Sequence, residues 1–353
     1  MENFVIISDT HHHDWSSFST IKNGVNSRLN IILEETIRAA DSIEDEDQKL
    51  IIHAGDLFHV RGKISPSVLN PTLDTYKLLI DRGFQIYILS GNHDLETKHS
   101  SRISSAVTAL EGVGVEVVSS PMSLRIGGKN MYMVPWIEDI QELKRELLDA
   151  SQVISKDKYK KYDLIIHAPI DEVIEGIPYH GLTAKFLGDL AFHRVFAGHY
   201  HNHKDFGNGV YSIGALTHHT WSDVGSKAGF LTVGDKSVRW NASHAPHFID
   251  LPDEFDHDEF ELEVDQNYVR AKVHTDSKLL VDELRKWLED CGALGTQINM
   301  IKPSSSRRAG KSIDMDSLNL DWKPMLEKYV DLHMKGLDDP AKVVSETFNW
   351  IEK

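Results

Sequence analysis

The chain has 353 residues and a hydrophobic content of 41%, which is typical of a folded globular protein and argues against intrinsic disorder. A formal net charge of −16 argues against nonspecific nucleic-acid binding over the whole surface, because phosphate affinity depends on basic groups. The charge is uneven, however. Residues 246–266 contain nine acidic residues and no lysine or arginine, whereas residues 302–311 contain four basic residues and no acidic one. A locally basic groove therefore remains compatible with the composition.

The single cysteine, Cys291, excludes an intrachain disulfide bond and is compatible with a reducing compartment. The apolar stretch near the N-terminus has no preceding basic region and ends at Asp9, which is not typical of a signal peptide. No run approaches the ~18–20 apolar residues of a membrane span. We therefore expect a soluble, cytoplasmic protein.

The first 245 residues alternate strand-like and helix-like segments, which predicts a mixed α/β sandwich. Apolar residues follow helical spacing at 29–40 and 137–153, a helix opens at Ser65-Pro66, and another is expected near 102–111. Gly127-Gly128 interrupts an apolar stretch and predicts a β-hairpin at 124–135. The predicted strands are 4–7, 50–53, 85–89, 115–118, 164–166, 195–197, 209–213 and 229–240.

The pattern changes near Pro246. Strands predicted at 260–264, 268–273 and 297–301 and a helix at 278–291 indicate a small α+β unit. A polar, serine-rich segment indicates a linker, and two amphipathic helices follow at 318–335 and 340–353. The predicted division is 1–245, 246–303, a linker at 304–316, and a helical segment at 317–353. Two helices after a linker cannot bury their apolar faces alone, so they either dock or bind a partner.

Five of the predicted strands are each followed at once by side chains that can bind metal ions. Ligands at the carboxyl ends of strands converge on one edge of a sheet, where α/β folds build their sites. The mixture of carboxylate, imidazole and amide ligands, without thiolate, suits two hard-to-borderline divalent metals. The seven candidate ligands are Asp9, His11, Asp56, Asn92, His167, His199 and His201.

Two cations held ~3.5–4 Å apart can activate a water molecule and clamp a phosphate. Such a site needs a bridging carboxylate, for which Asp56 is the natural candidate. Any single motif is weak: Asp-x-His or Gly-Asp is often a turn with a capping aspartate, and a lone His167 is more often a core histidine. The ordered set of five motifs, each behind a strand, is much more specific.

With these motifs the chain resembles the calcineurin-like metallophosphoesterases, whose signature is Asp-x-His, Gly-Asp, Gly-Asn-His-Asp/Glu, His and Gly-His-x-His. Within that family it more closely resembles the SbcD-type double-strand-break repair nucleases, a group that includes phage recombination endonuclease subunits. The supporting segments are 55–59 with Ser65-Pro66-Ser67, then 211–215, and 268–270 in the α+β unit. The resemblance covers residues 1–245 well, is looser to 303 and is only architectural beyond that.

The resemblance implies a four-layer β-sandwich flanked by helices, a small α+β capping domain and C-terminal helices. It implies that His93 is the general acid that protonates the leaving sugar oxygen, that Asp94 orients its ring, and that His59 positions the scissile phosphate. The metal is expected to be manganese, with magnesium less active. The implied ligand sets are Asp9, His11, Asp56 and His201 for one ion, and Asp56, Asn92, His167 and His199 for the other.

The implied function is a dimanganese-dependent DNA nuclease, active as a double-strand exonuclease and as a single-strand or hairpin endonuclease by hydroxide attack on the phosphodiester. It would act in DNA end processing, repair and recombination in a bacterial or phage-infected cell, as a homodimer with an SbcC-like coiled-coil ATPase. The expected anchors for the ATPase are Trp322, Tyr329, Phe348 and Trp350.

Two other functions remain open. The same ligands serve phosphomonoesterases and small-molecule phosphodiesterases, although such enzymes need neither the capping unit nor the C-terminal helices. A scaffold that mainly tethers an ATPase to DNA ends is the third interpretation. The presence of all seven ligands and of His93 argues against it.

Several other residues have less specific interpretations. His12 and His13 are interpreted as surface loop residues, with an extra phosphate or strand contact as the alternative. The acidic run 250–265 is expected to be solvated, and Arg307, Arg308 and Lys311 are interpreted as linker rather than as a phosphate contact. His218, His219 and His244 are expected at the surface or behind the ligands. The helix with Val68, Leu69, Tyr76 and Leu79 is a candidate dimer surface, although core packing explains these residues equally well.

Overall fold

A computed structural model of the chain describes residues 2–43, 49–96, 105–126, 128–156 and 160–301. The chain divides into two compact units, Met1–Ile301 and Lys302–Lys353, and the described residues belong to the first. Within those residues, no helix is long and apolar enough to cross a membrane. The predicted linker and C-terminal helices lie outside the described residues, as do the anchors predicted for an ATPase, Trp322, Tyr329, Phe348 and Trp350.

Strands and helices alternate through most of the described chain. The strands are β1 (Glu2–Ile7), β2 (Ile21–Lys22), β3 (Val25–Asn26), β4 (Leu50–His53), β5 (Gln85–Leu89), β6 (Glu116–Val118), β7 (Met122–Ile126), β8 (Lys129–Val134), β9 (Tyr162–His167), β10 (Arg194–Gly198), β11 (Lys204–Asp205), β12 (Val210–Ser212), β13 (Gly229–Gly234), β14 (Val238–Ala242), β15 (Phe248–Asp250), β16 (Tyr268–His274) and β17 (Gly295–Ile301). The helices are α1 (Ser27–Asp41), α2 (Pro66–Asp81), α3 (Ile140–Ile154), α4 (Ala184–Gly188), α5 (His257–Val264) and α6 (Lys278–Asp290), with 3₁₀ helices at Ala106–Val113 and Trp221–Asp223.

Two six-stranded sheets form the body of the molecule. The first has the order β14-β13-β1-β4-β5-β6 and the second β11-β12-β10-β9-β8-β7. In each sheet four neighbouring strands are parallel: β1, β4, β5 and β6 in the first, and β12, β10, β9 and β8 in the second. Antiparallel strands complete both sheets. The parallel strands matter for function, because their carboxyl ends meet at a common edge.

The two sheets pack face to face with helices outside them, which gives four layers. In β1, Phe4 and Ile6 face the core between the sheets, whereas Val5 and Ile7 face the core under α1 and α2. A third core packs the other face of the second sheet against α3 and α4. Both faces of the parallel strands are therefore buried, which is why they appear in the sequence as continuous apolar runs. The predicted four-layer α/β fold is confirmed.

A separate small sheet follows, in which β15, β16 and β17 are parallel and are linked through α5 and α6. One prediction is wrong here: residues 260–264 form the end of helix α5 and not a strand. Phe260 and Val264 are four residues apart and pack on one helix face, whereas Leu262 is 90% exposed. Asp256 caps this helix at its N-terminus, and acidic residues in the first turn favour it electrostatically.

Other boundaries differ less. The hairpin expected at 124–135 is confirmed as β7 and β8. The helix expected near 102–111 is a 3₁₀ helix at Ala106–Val113, and the segment 229–240 is two antiparallel strands, β13 and β14. The face of α2 proposed as a dimer surface is mainly core, because Val68, Tyr76 and Leu79 are at most 3% exposed and Leu69 packs against the same cluster. These three side chains are not available to a second subunit.

Candidate metal centre

All seven predicted ligands lie at the carboxyl ends of parallel strands. The first sheet contributes Asp9 and His11 after β1, Asp56 after β4 and Asn92 after β5, and the second sheet contributes His167 at the end of β9 and His199 and His201 after β10. The strands β9 and β10 pair in register, with Gly198 opposite His167. The two sheets therefore bring their ligand-bearing ends to one place.

Several of these residues have a strained backbone. Asp9, His11, Asp56 and His199 have φ angles of 50°, 45°, 57° and 106°, in the left-handed region that side chains other than glycine rarely adopt. Each such residue costs on the order of 1–3 kcal/mol, and strain of this kind concentrates at functional sites. The tight turns direct several side chains from each strand end toward one point.

Two glycines allow the strand ends to approach closely. A Cβ atom on Gly55 would collide with the ring of His167, and a Cβ atom on Gly91 would collide with the Asp56 carboxylate. Gly55 also has a φ of 103°, which favours glycine. The Gly-Asp and Gly-Asn-His-Asp motifs therefore contain glycine because the neighbouring ligands occupy the space of a side chain.

Asp9, His11 and His201 form one side of the centre, which we call the first side. One ligand atom from each lies within 4.8 Å of the others. The Nε2 atoms of His11 and His201 are 3.1 Å apart. The Asp9 carboxylate accepts a hydrogen bond of 2.9 Å from the backbone N–H of His199. Three donors of the kind that divalent metals prefer therefore surround one point.

Asn92, His167 and His199 form the second side. The amide oxygen of Asn92 lies 3.1 Å from Nε2 of His167 and 3.0 Å from Nδ1 of His199. The Asp56 carboxylate lies between the two sides, because its Oδ2 atom is 3.4 Å from Nε2 of His167 and 3.8 Å from Nε2 of His11. This is the position that a bridging carboxylate requires.

The donor set fits divalent metal ions. Metal–nitrogen and metal–oxygen bonds of about 2.0–2.2 Å at right angles place neighbouring ligand atoms about 3 Å apart. The separations of 3.0–3.4 Å on the two sides match that value. The two Nε2 atoms of His11 and His201 cannot face each other at 3.1 Å as bare lone pairs, so a cation or a proton must lie between them.

Hydrogen bonds behind the ligands hold the imidazole rings. On the first side, Nδ1 of His201 is 2.7 Å from Oδ1 of Asp223. On the second side, Nδ1 of His167 is 2.7 Å from the carbonyl oxygen of Ala54. In both rings, the N–H at Nδ1 donates outward, so that Nε2 is the nitrogen directed into the centre and can bind a metal ion when it gives up its proton. Trp136 stacks on the ring of His199 at 5.0 Å.

The protein also sets the charge of these groups. Burial alone would lower the pKa of His167, but the Asp56 carboxylate and the hydrogen bond to it raise that pKa to about 9. Burial alone would also lower the pKa of His201, but the hydrogen bond from its ring to Asp223 and the charge of that carboxylate raise it. The pKa of Asp56 is lowered because the neighbouring histidines outweigh its burial, whereas burial raises the pKa of Asp9. Burial lowers the pKa of His199 to about 3.

His93 and His59 lie beside the first side. The rings of His93 and His11 are 4.8 Å apart, and His59 stacks on His93 at 5.7 Å. Nδ1 of His93 is 2.7 Å from the carbonyl oxygen of His59, and the backbone N–H of His93 donates to Oδ1 of Asp56 at 2.8 Å. Burial, followed by the charges of His13 and His93, lowers the pKa of His59 to about 4.

The predicted role of Asp94 differs from its observed contacts. Its carboxylate is fully buried and accepts hydrogen bonds of 2.9 Å from the backbone N–H groups of Asp56, Phe58 and Gly91. The ring of His93 is instead held by the carbonyl of His59. Asp94 therefore does not orient the His93 ring; it joins the two loops that carry Asp56 and Asn92.

Among the other histidines singled out from the sequence, His12 is buried, contrary to its surface interpretation, and His219 lies behind the ligands, one of the two positions expected for it. His12 is 1% exposed, and its Nδ1 is 2.9 Å from Oγ1 of Thr72 on α2, so it contacts a helix and not the solvent. His13 is partly buried between Trp15 and His59. His219 lies directly behind the first side, because its Nε2 atom is 2.8 Å from the carbonyl oxygen of Asp9.

His218 is also buried, and its Nδ1 accepts a hydrogen bond of 3.1 Å from the backbone N–H of Phe248 in β15. His244 is exposed, as expected. The acidic run 250–265 is mostly exposed, as expected for a solvated face.

Sequence reasoning missed Asp223 and Trp136. Both contact ligands from distant segments, and neither belongs to a recognisable motif. Asp223 had one local signal, because Thr220-Trp221-Ser222-Asp223 forms a capping box at the short 3₁₀ helix. A groove beside the centre, with a volume of about 660 Å³, is lined by residues 173–175, 199–204 and 222–227. This groove leads from the solvent to His199 and His201.

The family model for calcineurin-like phosphoesterases matches residues 2–203. A curated relative, exonuclease subunit 1 of Enterobacteria phage T4, is 24% identical over 191 residues, which are 53% of this chain and 53% of the relative. The chain therefore spans about half the length of the curated relative it matches.

Solved structures include distant matches. A dimetal phosphatase from Danio rerio has 11% identity and a TM-score of 0.41, with 69% of this chain and 96% of that chain covered. The nuclease MPE of Pseudomonas putida has 17% identity and a TM-score of 0.29, with coverages of 57% and 63%.

The family match covers more than half of the chain and contains all seven candidate ligands. It also contains the strands of both sheets that carry these ligands, and the carboxyl ends of these strands lie together in the structure. The predicted resemblance is confirmed at this level, and it indicates a phosphoester hydrolase that uses divalent metals. The chain belongs to the calcineurin-like phosphoesterase family.

Proposed function

We propose that this protein is a metal-dependent DNA nuclease that hydrolyses phosphodiester bonds with two divalent cations, manganese by preference. The observation that carries the proposal is the Asp56 carboxylate between His11 and His167, at 3.8 and 3.4 Å, with two further ligands on each side. The similarity to a phage exonuclease subunit supports DNA as the substrate.

The first side, with Asp56, would hold one ion, and the second side, with the same Asp56, would hold the other. When bound, the metal ions supply Lewis-acid activation of water and charge neutralisation at the phosphate. Asp56 keeps both sides at a fixed separation, because its Oδ1 atom is held by the backbone N–H of His93. The histidine rings are held by Asp223 and by the carbonyl of Ala54, so little reorganisation is needed on binding.

His93 is the proposed general acid. Its Nδ1–H donates to the carbonyl of His59, which fixes the ring and leaves Nε2 to carry a proton toward the leaving sugar oxygen. His59 stacks on this ring and is proposed to contact the scissile phosphate. Asp94 supports the same loop through backbone hydrogen bonds, so its contribution is to loop geometry and not to proton transfer.

The test is a nuclease assay with linear double-stranded DNA and Mn²⁺, and with parallel reactions that contain Mg²⁺ or EDTA. We expect His93→Gln to reduce cleavage by roughly 10²–10⁴-fold, the usual contribution of a general acid, with unchanged Mn²⁺ binding. The matched control is His193→Gln, because His193 is exposed and precedes β10 at the end remote from the centre. Equal cleavage by the His93 variant would contradict the assigned acid.

A partner is the second part of the proposal. An SbcC-like coiled-coil ATPase would bind residues 317–353 through Trp322, Tyr329, Phe348 and Trp350, and the nuclease would act as a homodimer in DNA repair and recombination. The name of the phage relative, which describes a subunit, supports a complex. Co-purification with such an ATPase should be lost in a Trp322→Ala/Trp350→Ala variant that keeps full Mn²⁺ binding. If DNA stayed intact with the ATPase and ATP while a chromogenic phosphodiester was cleaved, the enzyme would be a small-molecule phosphodiesterase.

A further inference from the structure

We propose that Asp223 is a positioning residue for the first side of the metal centre, acting through the imidazole of His201. The inference rests on the proposed role of His201 as a metal ligand. Asp223 lies 22 residues after His201 in the chain and belongs to a different segment, the 3₁₀ helix Trp221–Asp223. No sequence motif of the seven ligands includes it.

The contact is short and shielded from solvent. Oδ1 of Asp223 is 2.7 Å from Nδ1 of His201, and Asp223 is 3% exposed. The hydrogen bond fixes the proton of His201 at Nδ1, because a carboxylate can only accept. Nε2 is therefore left with a lone pair, and it faces Nε2 of His11 at 3.1 Å. Only this tautomer can bind a cation between the two rings.

The other oxygen of Asp223 is held equally firmly. Oδ2 accepts hydrogen bonds of 2.8 Å from the backbone N–H groups of His219 and Thr220, and the bond from Thr220 belongs to a capping box. The carboxylate therefore has little freedom to rotate, and Oδ1 stays directed at His201. A side chain that served only to cap the helix would need Oδ2 but not the contact with His201.

The same segment also holds a second ligand of the first side. Nε2 of His219 donates to the carbonyl oxygen of Asp9 at 2.8 Å, while the backbone N–H of His219 donates to Asp223. Arg28 secures this segment from behind by donating to the carbonyl of His219 at 2.6 Å. Residues 219–223 therefore join the loop after β1 to the loop after β10, and Asp223 is the charged group in that link.

An asparagine at position 223 would test the role directly. Its amide oxygen can still accept from the backbone N–H groups of His219 and Thr220, which leaves the amide NH₂ facing His201. Nδ1 of His201 would then have to accept, and its proton would move to Nε2, where it opposes a cation. An isosteric change would therefore reverse the tautomer with little loss of packing, as the change of a ring-orienting aspartate to asparagine does in serine proteases.

The matched control is Asp171→Asn. Asp171 is also 3% exposed and also accepts from two backbone N–H groups, those of His180 and Gly181, in the loop that flanks the groove. Its carboxylate contacts these amides and none of the seven ligands. The two variants therefore lose the same charge at equally buried positions, and only Asp223 faces a ligand; Asp171→Asn also loses one backbone hydrogen bond, which makes it the more stringent control for stability.

The measurement is calorimetric titration of the metal-free full chain with Mn²⁺ alone, together with thermal unfolding in EDTA. We expect Asp223→Asn to weaken the first-side Mn²⁺ site by about 10–100-fold, the usual effect of changing a group behind a metal ligand. Asp171→Asn should leave both sites unchanged. In a His201→Ala background, Asp223→Asn should have no further effect on Mn²⁺ affinity.

Two results would overturn the inference. Unchanged Mn²⁺ binding by Asp223→Asn, when His201→Ala does weaken binding, would show that Asp223 only caps the short helix. An equal loss in Asp171→Asn would show a general effect of lost charge. If His201→Ala itself left both sites intact, the ligand assignment in the proposed function would fail instead. Asp223→Ala adds a further distinction: it should lower the unfolding temperature more than Asp223→Asn, yet weaken Mn²⁺ binding no more, because it leaves the ring free to choose either tautomer.

Discussion

The two sides of the metal centre are oriented by different kinds of groups. On the first side, a side-chain carboxylate, Asp223, holds His201 through a bond of 2.7 Å. On the second side, a main-chain carbonyl, that of Ala54, holds His167 at the same distance. A carboxylate adds charge to the ring that it holds, whereas a carbonyl adds only a dipole. A substitution of Asp223 can therefore change the charge beside His201 on the first side, whereas the orientation of His167 on the second side depends on the path of the backbone.

The glycines show the same contrast. Gly55 and Gly91 lie against the ring of His167 and the carboxylate of Asp56, and neither has room for a Cβ atom. The second side and the bridging carboxylate therefore depend on the close approach of the backbone at the ends of β4, β5 and β9. The first side draws its ligands from β1 and β10 and is joined by the side chains of residues 219–223. Substitutions can test whether the two sides are as separate as this geometry indicates.

The largest expected effect is at the one residue that both sides share. Asp56→Asn removes the charge between His11 and His167, and we expect it to weaken Mn²⁺ binding on both sides and to reduce phosphodiester cleavage by on the order of 10³-fold or more, equivalent to about 4 kcal/mol. Calorimetric titration and a cleavage assay check this result. Retention of one intact, tight Mn²⁺ site would show that Asp56 is not shared.

A smaller and one-sided effect is expected at Gly55. An alanine there would drive the ring of His167 away from Ala54 and would adopt a φ of 103°, with a strain of about 1–3 kcal/mol. Gly55→Ala should therefore lose the second-side Mn²⁺ site and keep the first. Gly207→Ala is the control, because Gly207 has a φ of 75° with open space around it. If Gly207→Ala lost the second-side Mn²⁺ site as well, backbone strain and not the collision with His167 would be the cause.

The convergence of the seven candidate ligands could be predicted from the sequence because each one follows a strand whose apolar run is visible locally. Asp9, His167 and His199 owe their positions to strand ends, and parallel strands place such ends together without further information. The two sheets of the sandwich could be predicted for the same reason. Their parallel strands are buried on both faces, so each one appears in the sequence as a continuous apolar run, and the ligand motif follows that run.

The residues behind the ligands could not be predicted, because their contacts join segments that are far apart in the chain. Asp94 looked like a partner of the adjacent His93, but its carboxylate is satisfied by backbone amides of Asp56, Phe58 and Gly91. The segment 260–264 alternated polar and apolar residues, a pattern that a short strand and an exposed helix share. Only the packing of Phe260 and Val264 on one face decides between them.

The backbone under the second side should be sensitive to acid. His53, at the end of β4, is fully buried, and burial lowers its pKa to about 3. Its Nε2 is 2.9 Å from Oγ1 of Thr10, and its Nδ1 accepts from the backbone N–H of Gly55 at 3.3 Å. Because the unfolded chain takes up a proton near pH 6.5 and the folded chain does not, stability is lost as the pH falls below 6.5.

We expect the contribution of His53 to this loss to be about 2 kcal/mol between pH 7.5 and pH 5, since 1.5 pKa units correspond to that energy. Denaturant unfolding of metal-free protein at the two pH values measures it, and His53→Gln should reduce the difference by about that amount. The exposed His193 serves again as the control position, through His193→Gln. If the difference in unfolding free energy between the two pH values were unchanged in His53→Gln, the ring of His53 could be protonated within the folded protein.

The smallest expected effect is at Trp136, which stacks on the second-side ring of His199 at 5.0 Å with an angle of 25° between the planes. Aromatic stacking of this kind contributes about 0.5–1.5 kcal/mol, so Trp136→Leu should weaken the second-side Mn²⁺ site by roughly 2–10-fold and leave the first side unchanged. Trp287→Leu is the matched control, because Trp287 stacks on His257 at 4.3 Å in the small α+β unit, on a histidine outside the set of ligands. If the Trp136 variant weakened both sides equally, the two sides would be coupled through the shared Asp56 more strongly than their separate orienting groups indicate.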